Sequence, residues 1–384
     1  MNVTKDTKYI GVNDHDIDLF EGQYEVPCGM AYNSYVIIDE KIAVMDTVDA
    51  RFGKEWLAKL EEALEGRCPD YLVVHHMEPD HSSNIDVFMR RFPNATVVAS
   101  DKAFVMIKQF FGDDYSARRV VVKDGDTLSL GKHTLTFVAA PMVHWPEVIV
   151  SYDAYDKTLF SADAFGKFGA LDLDDEWECE ARRYYFGIVG KYGMQTKKLL
   201  ERTAELDIAR ICPLHGPVLE ENIGHYIDLY KKWSSYIPED SGVVIAYASV
   251  YGNTRRAAEL LAEELEALGC ENVALTDLAR CDIAEAVEDA FRYDRLVLAS
   301  TTYNGDVFPP MREFIHELTE RSYRNRTVGI IENGSWAPMA AKRIKAMLEG
   351  SVGLTFTDTV VTVRSALTDE NKVAIKGLAK ELIK

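Results

Sequence analysis

The 384-residue sequence contains no Cys-x-x-Cys pair. Its six cysteines (Cys28, Cys68, Cys179, Cys212, Cys270 and Cys281) are scattered. That spacing excludes a thiolate zinc site, a cysteine-held iron–sulfur module and a disulfide framework. Most of the six are expected to be small buried apolar residues. No apolar run approaches the length of a membrane span. Met1 to Asp18 is polar and acidic, unlike a secretory signal, so a cytoplasmic location is expected. Positive charge is also scarce, with 43 Lys and Arg against 62 Asp and Glu and a net charge of −19. A chain with this balance and no basic stripe is a poor partner for nucleic acid or an anionic membrane. Neither G-x-G-x-x-G nor a Walker lysine motif occurs, which argues against a dinucleotide or a nucleoside triphosphate.

What the sequence does have is a dense run of candidate metal ligands, His76-Met77-Glu78-Pro79-Asp80-His81. It directly follows the strand-like Tyr71-Leu72-Val73-Val74. Imidazoles mixed with carboxylates suit a borderline-to-hard divalent metal and lean toward iron. Three more candidates stand just beyond strand-like segments. His144 follows Thr134–Ala140, Asp163 follows Thr158–Ser161, and His215 sits in the Pro- and Gly-bounded loop Pro213–Pro217. Seven such ligands from four loops could hold two metals, with one carboxylate shared. His75 precedes the motif off its spacing and reads as a supporting residue. His15, His133, His225 and His316 lack such context and are expected at the surface.

Residues 1–240 alternate short strands with helices, including Lys54–Leu64, Ile85–Arg91, Glu180–Tyr192 and Lys197–Glu205. Ligands at strand ends fit a layered sheet sandwich flanked by helices. Pro238 to Gly242 marks a linker. Residues 241–384 then run as five strand–helix units, which predicts a doubly wound parallel sheet. The fold class is therefore a two-domain α/β and α+β chain.

The second half carries its own candidate site. Ser249-Val250-Tyr251-Gly252-Asn253-Thr254 lies between the first strand and its helix. Hydroxyls and a glycine at a helix N-terminus suit a single phosphate, although an ordinary capped helix start has the same composition. Thr301-Thr302-Tyr303-Asn304-Gly305 and Asn333-Gly334-Ser335-Trp336 follow later strands. Each adds an aromatic and flexible backbone able to hold a flat heterocycle. A phosphate loop with two aromatic loops suggests FMN.

His76-x-Glu78-x-Asp80-His81, with His144, Asp163, His215 and the flavodoxin-like second half, resembles the flavodiiron proteins (A-type flavoproteins). The likeness covers essentially the whole chain, and Tyr32–Tyr35 and His144-Trp145-Pro146-Glu147 share it. The related metallo-β-lactamases usually have His where this chain has Glu78. The resemblance implies a metallo-β-lactamase-like αββα sandwich followed by a flavodoxin-like domain. One iron would take His76, Glu78 and His144, and the other Asp80, His81 and His215. Asp163 would bridge them, and Trp145 would wall the pocket. Occupancy at His81 or its neighbours can vary among relatives. Many relatives have Pro where this chain has Thr302, which weakens the case for the flavin-ring contacts.

The implied activity is reduction of O2 to water, of NO to N2O, or of both, with electrons passed through FMN. The implied donor is external: a rubredoxin, a flavin reductase or a reduced deazaflavin. The implied assembly is a head-to-tail homodimer or a dimer of dimers. Two other readings remain open at this point. One is a metallo-β-lactamase-type zinc hydrolase with an appended flavodoxin-like domain. The other is an FMN electron-transfer or gas-sensing protein. The sequence does not rank O2 against NO.

Overall fold

The computed structural model describes residues 2–173 and 176–384. The chain divides into two units, Met1–Lys231 and Lys232–Lys384.

The first unit contains two main sheets. The six-stranded one runs in the order Thr7–Tyr9, Tyr35–Ile38, Ile42–Met45, Tyr71–Val73, Thr96–Ala99, Arg119–Val121. The five-stranded one runs Thr127–Ser129, Thr134–Ala139, Ile149–Asp153, Thr158–Phe160, Arg210–Cys212. Ile37, Val73 and Val98 from the first sheet share a buried apolar cluster with Leu135, Phe137, Phe160 and Cys212 from the second. Thr134–Ala139 buries alternate residues, while Ile42–Met45 and Ile149–Asp153 are buried on both faces, as strands packed between a second sheet and outer helices are. Helices cover the sandwich. Gly53–Leu64 buries Gly53, Trp56, Leu60 and Leu64, about one residue per turn, and turns its remaining positions partly or fully to solvent. The result is the layered α/β sandwich expected from the alternation of elements.

Several elements differ from the sequence reading. Asp101–Phe111 is a helix that was not anticipated, capped by Ser100 and ended by Gly112 at φ 77°. Its near-continuous Phe-Val-Met-Ile run hides the helical period. The expected single helix over 180–192 breaks into Trp177–Tyr184, a wide π turn at Tyr185–Val189 and a tight turn at Gly190–Tyr192. The Tyr24 hydroxyl takes the carbonyl of Gly187 at 2.8 Å, and Tyr24 Cε1 would lie 3.0 Å from a Cβ there. His133 is buried rather than on the surface. Its Nδ1 lies 2.7 Å from Asp153 Oδ2 and its Nε2 3.5 Å from Asp6. Of the cysteines only Cys212 is buried; Cys68 is exposed and the other four are half-buried. The expectation of mostly buried thiols is therefore corrected.

The second unit is a parallel sheet in the order Val273–Asp277, Asp240–Ala248, Tyr293–Tyr303, Thr327–Asn333, Thr355–Val363. This is the flavodoxin-type order, with the strand order reversing beside Asp240–Ala248. Helices Asn253–Ala267 and Asp369–Leu382 bury Ala257, Leu261, Leu265, Ile375 and Leu378 on one face. The division between units falls before the expected Pro238–Gly242 linker. Residues 233–239 are tied to the second unit: Glu239 N–H donates to Arg292 O at 2.8 Å, and Arg326 Nη1 donates to Tyr236 O at 2.8 Å.

Candidate functional site

The candidate ligands of the first unit emerge from strand ends. Tyr71–Val73 runs into His75 and His76, and the short helix Pro79–Ser82 carries Asp80 and His81. Pro79 suits that helix start because its missing N–H has no helical partner there. His144 lies in the turn between two antiparallel strands, Thr134–Ala139 and Ile149–Asp153. Asp163 and His215 follow neighbouring parallel strands, Thr158–Phe160 and Arg210–Cys212. Chain direction in this sheet therefore delivers His144, Asp163 and His215 to one end.

The structure brings all seven side chains together in two groups, His76–Glu78–His144–Asp163 and Asp80–His81–His215. Within each group the potential ligand atoms lie within 4.8 Å of one another. His144 Nε2 is 3.0 Å from Glu78 Oε2 and 2.9 Å from Asp163 Oδ2. His81 Nε2 is 3.3 Å from Asp80 Oδ2 and 3.4 Å from Asp163 Oδ1. The two oxygens of Asp163 thus face different groups.

The arrangement makes poor sense as a hydrogen-bond network. His76 Nε2 and His144 Nε2 are 3.2 Å apart, and His81 Nε2 and His215 Nε2 are 3.0 Å apart. His215 Nδ1 lies 2.7 Å from the carbonyl of Ala31, which can only accept, so Nδ1 carries the proton and Nε2 presents a lone pair. His76 Nδ1 lies 2.9 Å from Glu147 Oε1, which favours the same tautomer. Neither oxygen of Asp80 or Asp163 makes a well-directed hydrogen bond, although all four are buried. Imidazole nitrogens converging on one another beside unsatisfied buried carboxylates are costly unless protons or metal cations sit among them. The donor set therefore fits a pair of hard-to-borderline metals. Trp145 stands alongside, its ring 5.2 Å from that of His76.

Three contributors were not singled out from sequence. Glu147 is 2% exposed and also accepts from Met77 N–H at 2.9 Å, so it orients the metal-bearing loop as well as His76. Its only sequence signal is its place two residues after Trp145. Tyr184 packs its ring 5.4 Å from that of His215. In the metal-free chain, partial burial of the Glu21 carboxyl and then the charge of Glu78 push its pKa up to about 7. Off-motif His75 is buried between Asp46 Oδ2 (2.5 Å) and Ser151 Oγ (2.8 Å), which gives it the supporting role anticipated.

In the metal-free chain, burial opposes charge on His144, but Asp163 and Glu78 outweigh it and raise its pKa to about 9. His76 and His81 shift in the same direction against the same burial cost. Groups with raised folded-state pKa values stabilise fully below the ordinary imidazole value of about 6.5 and lose that contribution as pH rises through 9. The metal-free chain should therefore melt at lower temperature at pH 9 than at pH 6.5. A metal needs bare Nε2 atoms, so loading must expel protons. A pH-indicator titration of the metal-free protein with ferrous iron should show proton release at pH 7 that shrinks above pH 9. Uptake without proton release would contradict these protonation states.

In the second unit, Asp240–Ala248 leads into Ser249–Gly252 and the helix Asn253–Ala267. Gly252 has φ 89°, and its N–H donates to Ser249 Oγ at 3.1 Å. A left-handed residue directly before a helix turns successive N–H groups outward, which suits an anion. Thr254 Oγ1 is 2.8 Å from Thr301 Oγ1, joining this loop to the next. Tyr251 is 93% exposed and Trp336 is 90% exposed, with Val250 and Tyr303 also open, so neither ring-bearing loop hides its aromatic as a core residue.

Two of these loops are more rigid than their sequences suggest. Asn304 and Gly305, at φ 52° and 72°, form the two-residue turn of a hairpin pairing Tyr303 with Asp306. Thr302 Oγ1 accepts from Met339 N–H at 2.9 Å and Ala340 N–H at 3.2 Å. Its hydroxyl is occupied there. The Asn333 amide pairs with both backbone groups of Ser365, and Ser335 Oγ is 2.6 Å from Ser365 Oγ. Gly334 is pressed so close to Pro338 that a Cβ would lie 2.8 Å from its Cα. The loops fit a flat, phosphorylated heterocycle through backbone, Thr254 and exposed rings more than through Thr302 or Asn333.

Comparison with known proteins matches each half separately. Residues 30–216 match the family described as ODP family beta lactamase, and residues 244–366 match a flavodoxin domain. A nitric oxide reductase from Moorella thermoacetica is 31% identical over 363 residues, covering 91% of this chain and 89% of that protein. The crystal structure of the flavodiiron protein from Giardia intestinalis superposes with a TM-score of 0.90 at 26% identity, covering 99% of this chain and 96% of the other. The chain belongs to the flavodiiron proteins. The rubredoxin oxygen:oxidoreductase from Desulfovibrio gigas is similar over 100% of this chain and 98% of its own, with a TM-score of 0.91 and 27% identity. Both halves of the flavodiiron architecture are therefore present, and FMN with a non-haem diiron pair are its cofactors.

Proposed function

We propose that this flavodiiron protein reduces O2 to water, NO to N2O, or both, drawing electrons through FMN. The observation that carries this reading is the pairing of two ligand groups through one carboxylate, Asp163 Oδ2 on one side and Oδ1 on the other. His76, Glu78 and His144 would hold one iron, and Asp80, His81 and His215 the second. Glu78 distinguishes the first group from a histidine-rich zinc centre and supports iron. Ser249–Thr254, Thr301–Gly305 and Asn333–Trp336 receive the flavin. Residues 1–240 serve the metals and 241–384 the flavin.

When bound, the iron pair supplies two electrons together and the flavin replaces them. The chain's own groups do the rest. Glu147 and Ala31 O fix which imidazole nitrogens face inward. Burial of His76, His81, Asp163 and His215 keeps bulk water away from the reacting gas.

The relatives' names point to a rubredoxin-type donor, and no helix among the described residues is long and apolar enough to cross a membrane. A head-to-tail homodimer, alone or paired into a tetramer, and a cytoplasmic location complete the proposal. The test is anaerobic reduction of the iron- and FMN-loaded protein, then addition of O2 or NO. Consumption of at least one gas is expected. A loaded, reduced protein that consumes neither would refute the assignment.

A further inference from the structure

An apolar cavity of about 210 Å³ lies in the first unit, outside the ligand cluster. Its mouth is formed by Ala204, Gly224 and the Asp228–Lys231 ion pair (2.9 Å). Its floor is the buried Leu159, Phe165, Leu200 and Ile211. A second void of about 10 Å³ shares Leu159, Phe165, Leu200 and Thr203 with the first and continues to Ser161 and Ala164. Those two residues flank Asp163. The two voids are separate but share these walls, and the inner one ends at the back of the turn whose carboxylate faces both ligand groups.

The turn is built to hold its shape. Ala162 and Phe165 sit at φ 51° and 67°, and Ser161 Oγ donates to Ala164 O at 2.6 Å. Phe165 N–H donates to Tyr230 Oη, and the two rings stack at 4.1 Å. Phe165 thus forms a wall common to both voids directly beside the Asp163 turn.

Linings of this kind select their contents. Ions and strongly hydrated solutes lose too much solvation to enter. Apolar voids tend to stay dry and take up small apolar guests such as xenon. O2 and NO are small, weakly hydrated diatomics that prefer apolar surroundings to water. We propose that these adjacent voids are a reservoir and entry route for the gas substrate, with Phe165 as the gate between them. The inference rests on the gas-reductase reading above.

Xenon-pressurised crystals of the loaded protein test the cavity itself, independently of turnover. Xenon is expected in the outer void. Gly224→Trp tests the route. A Cβ at Gly224 meets nothing within 4 Å, so the indole can cover the mouth without disturbing the core. This variant should lose xenon and drop kcat/KM for the gas about tenfold, while kcat at saturating gas is unchanged. Gly224→Ala should keep both readings. Leu200→Trp, which fills the void from within, should behave like Gly224→Trp. An empty cavity under xenon overturns the inference even if gas reduction is intact. So does either Trp variant that excludes xenon yet keeps kcat/KM. A protein that binds xenon but reduces neither gas instead overturns the function, and the gas assignment with it.

Discussion

Asp163→Asn is expected to empty the centre. The residue is fully buried, with one oxygen 2.9 Å from His144 Nε2 and the other 3.4 Å from His81 Nε2. Asparagine keeps the volume but removes the negative charge and offers one oxygen instead of two. Changing a residue that merely supports a ligand lowers metal affinity about 10–100-fold, so losing a carboxylate shared by both sites should cost at least about 100-fold. Iron measured in the purified variant should fall by more than half, with turnover lost and FMN content unaffected. Folding should survive, because the flavin domain has a separate core. Iron content equal to the parent's would remove Asp163 from its bridging role.

Gly252→Val should produce the complementary defect. Gly252 sits at φ 89°, and a Cβ there meets nothing within 4 Å, so the penalty is backbone strain rather than a clash. Left-handed backbone costs an ordinary residue about 1–2 kcal/mol, and a β-branched one more. The turn should relax toward negative φ and swing the N–H groups at the start of the Asn253–Ala267 helix off the phosphate. About 1.4 kcal/mol corresponds to a tenfold loss of affinity, so FMN should bind at least about tenfold more weakly. Iron content should stay normal. Reduction of the gas by an external donor should fail unless excess FMN is added. Unchanged FMN affinity would place the phosphate elsewhere.

These opposite outcomes reflect how the sites are written in the sequence. The candidate metal ligands, which the structure gathers into two groups, were legible because His76 to His81 crowd a six-residue window and because the other candidates sit just after short apolar strands. The αββα and flavodoxin-like layers were legible from the regular alternation of elements, reinforced by the family resemblance. What escaped is what depends on distant partners. Glu147 orients His76 from 71 positions away, and buried His133 sets its ring nitrogens against Asp153, 20 positions away, and Asp6, 127 positions away. Thr302 also accepts hydrogen bonds from the N–H groups of Met339 and Ala340, 37 and 38 positions on. The Asn304-Gly305 turn carried a local hairpin signal that was read only as flexible backbone. The interrupted segment after Tyr184 receives a hydrogen bond from distant Tyr24, which no helical periodicity can report.

Diffraction from iron-loaded, anaerobically reduced crystals, collected on both sides of the iron absorption edge, bears most directly on the paired centre. Two anomalous peaks should appear, one among His76, Glu78 and His144, the other among Asp80, His81 and His215, with Asp163 between them. A lone peak, or a signal at the zinc edge instead, would contradict the account.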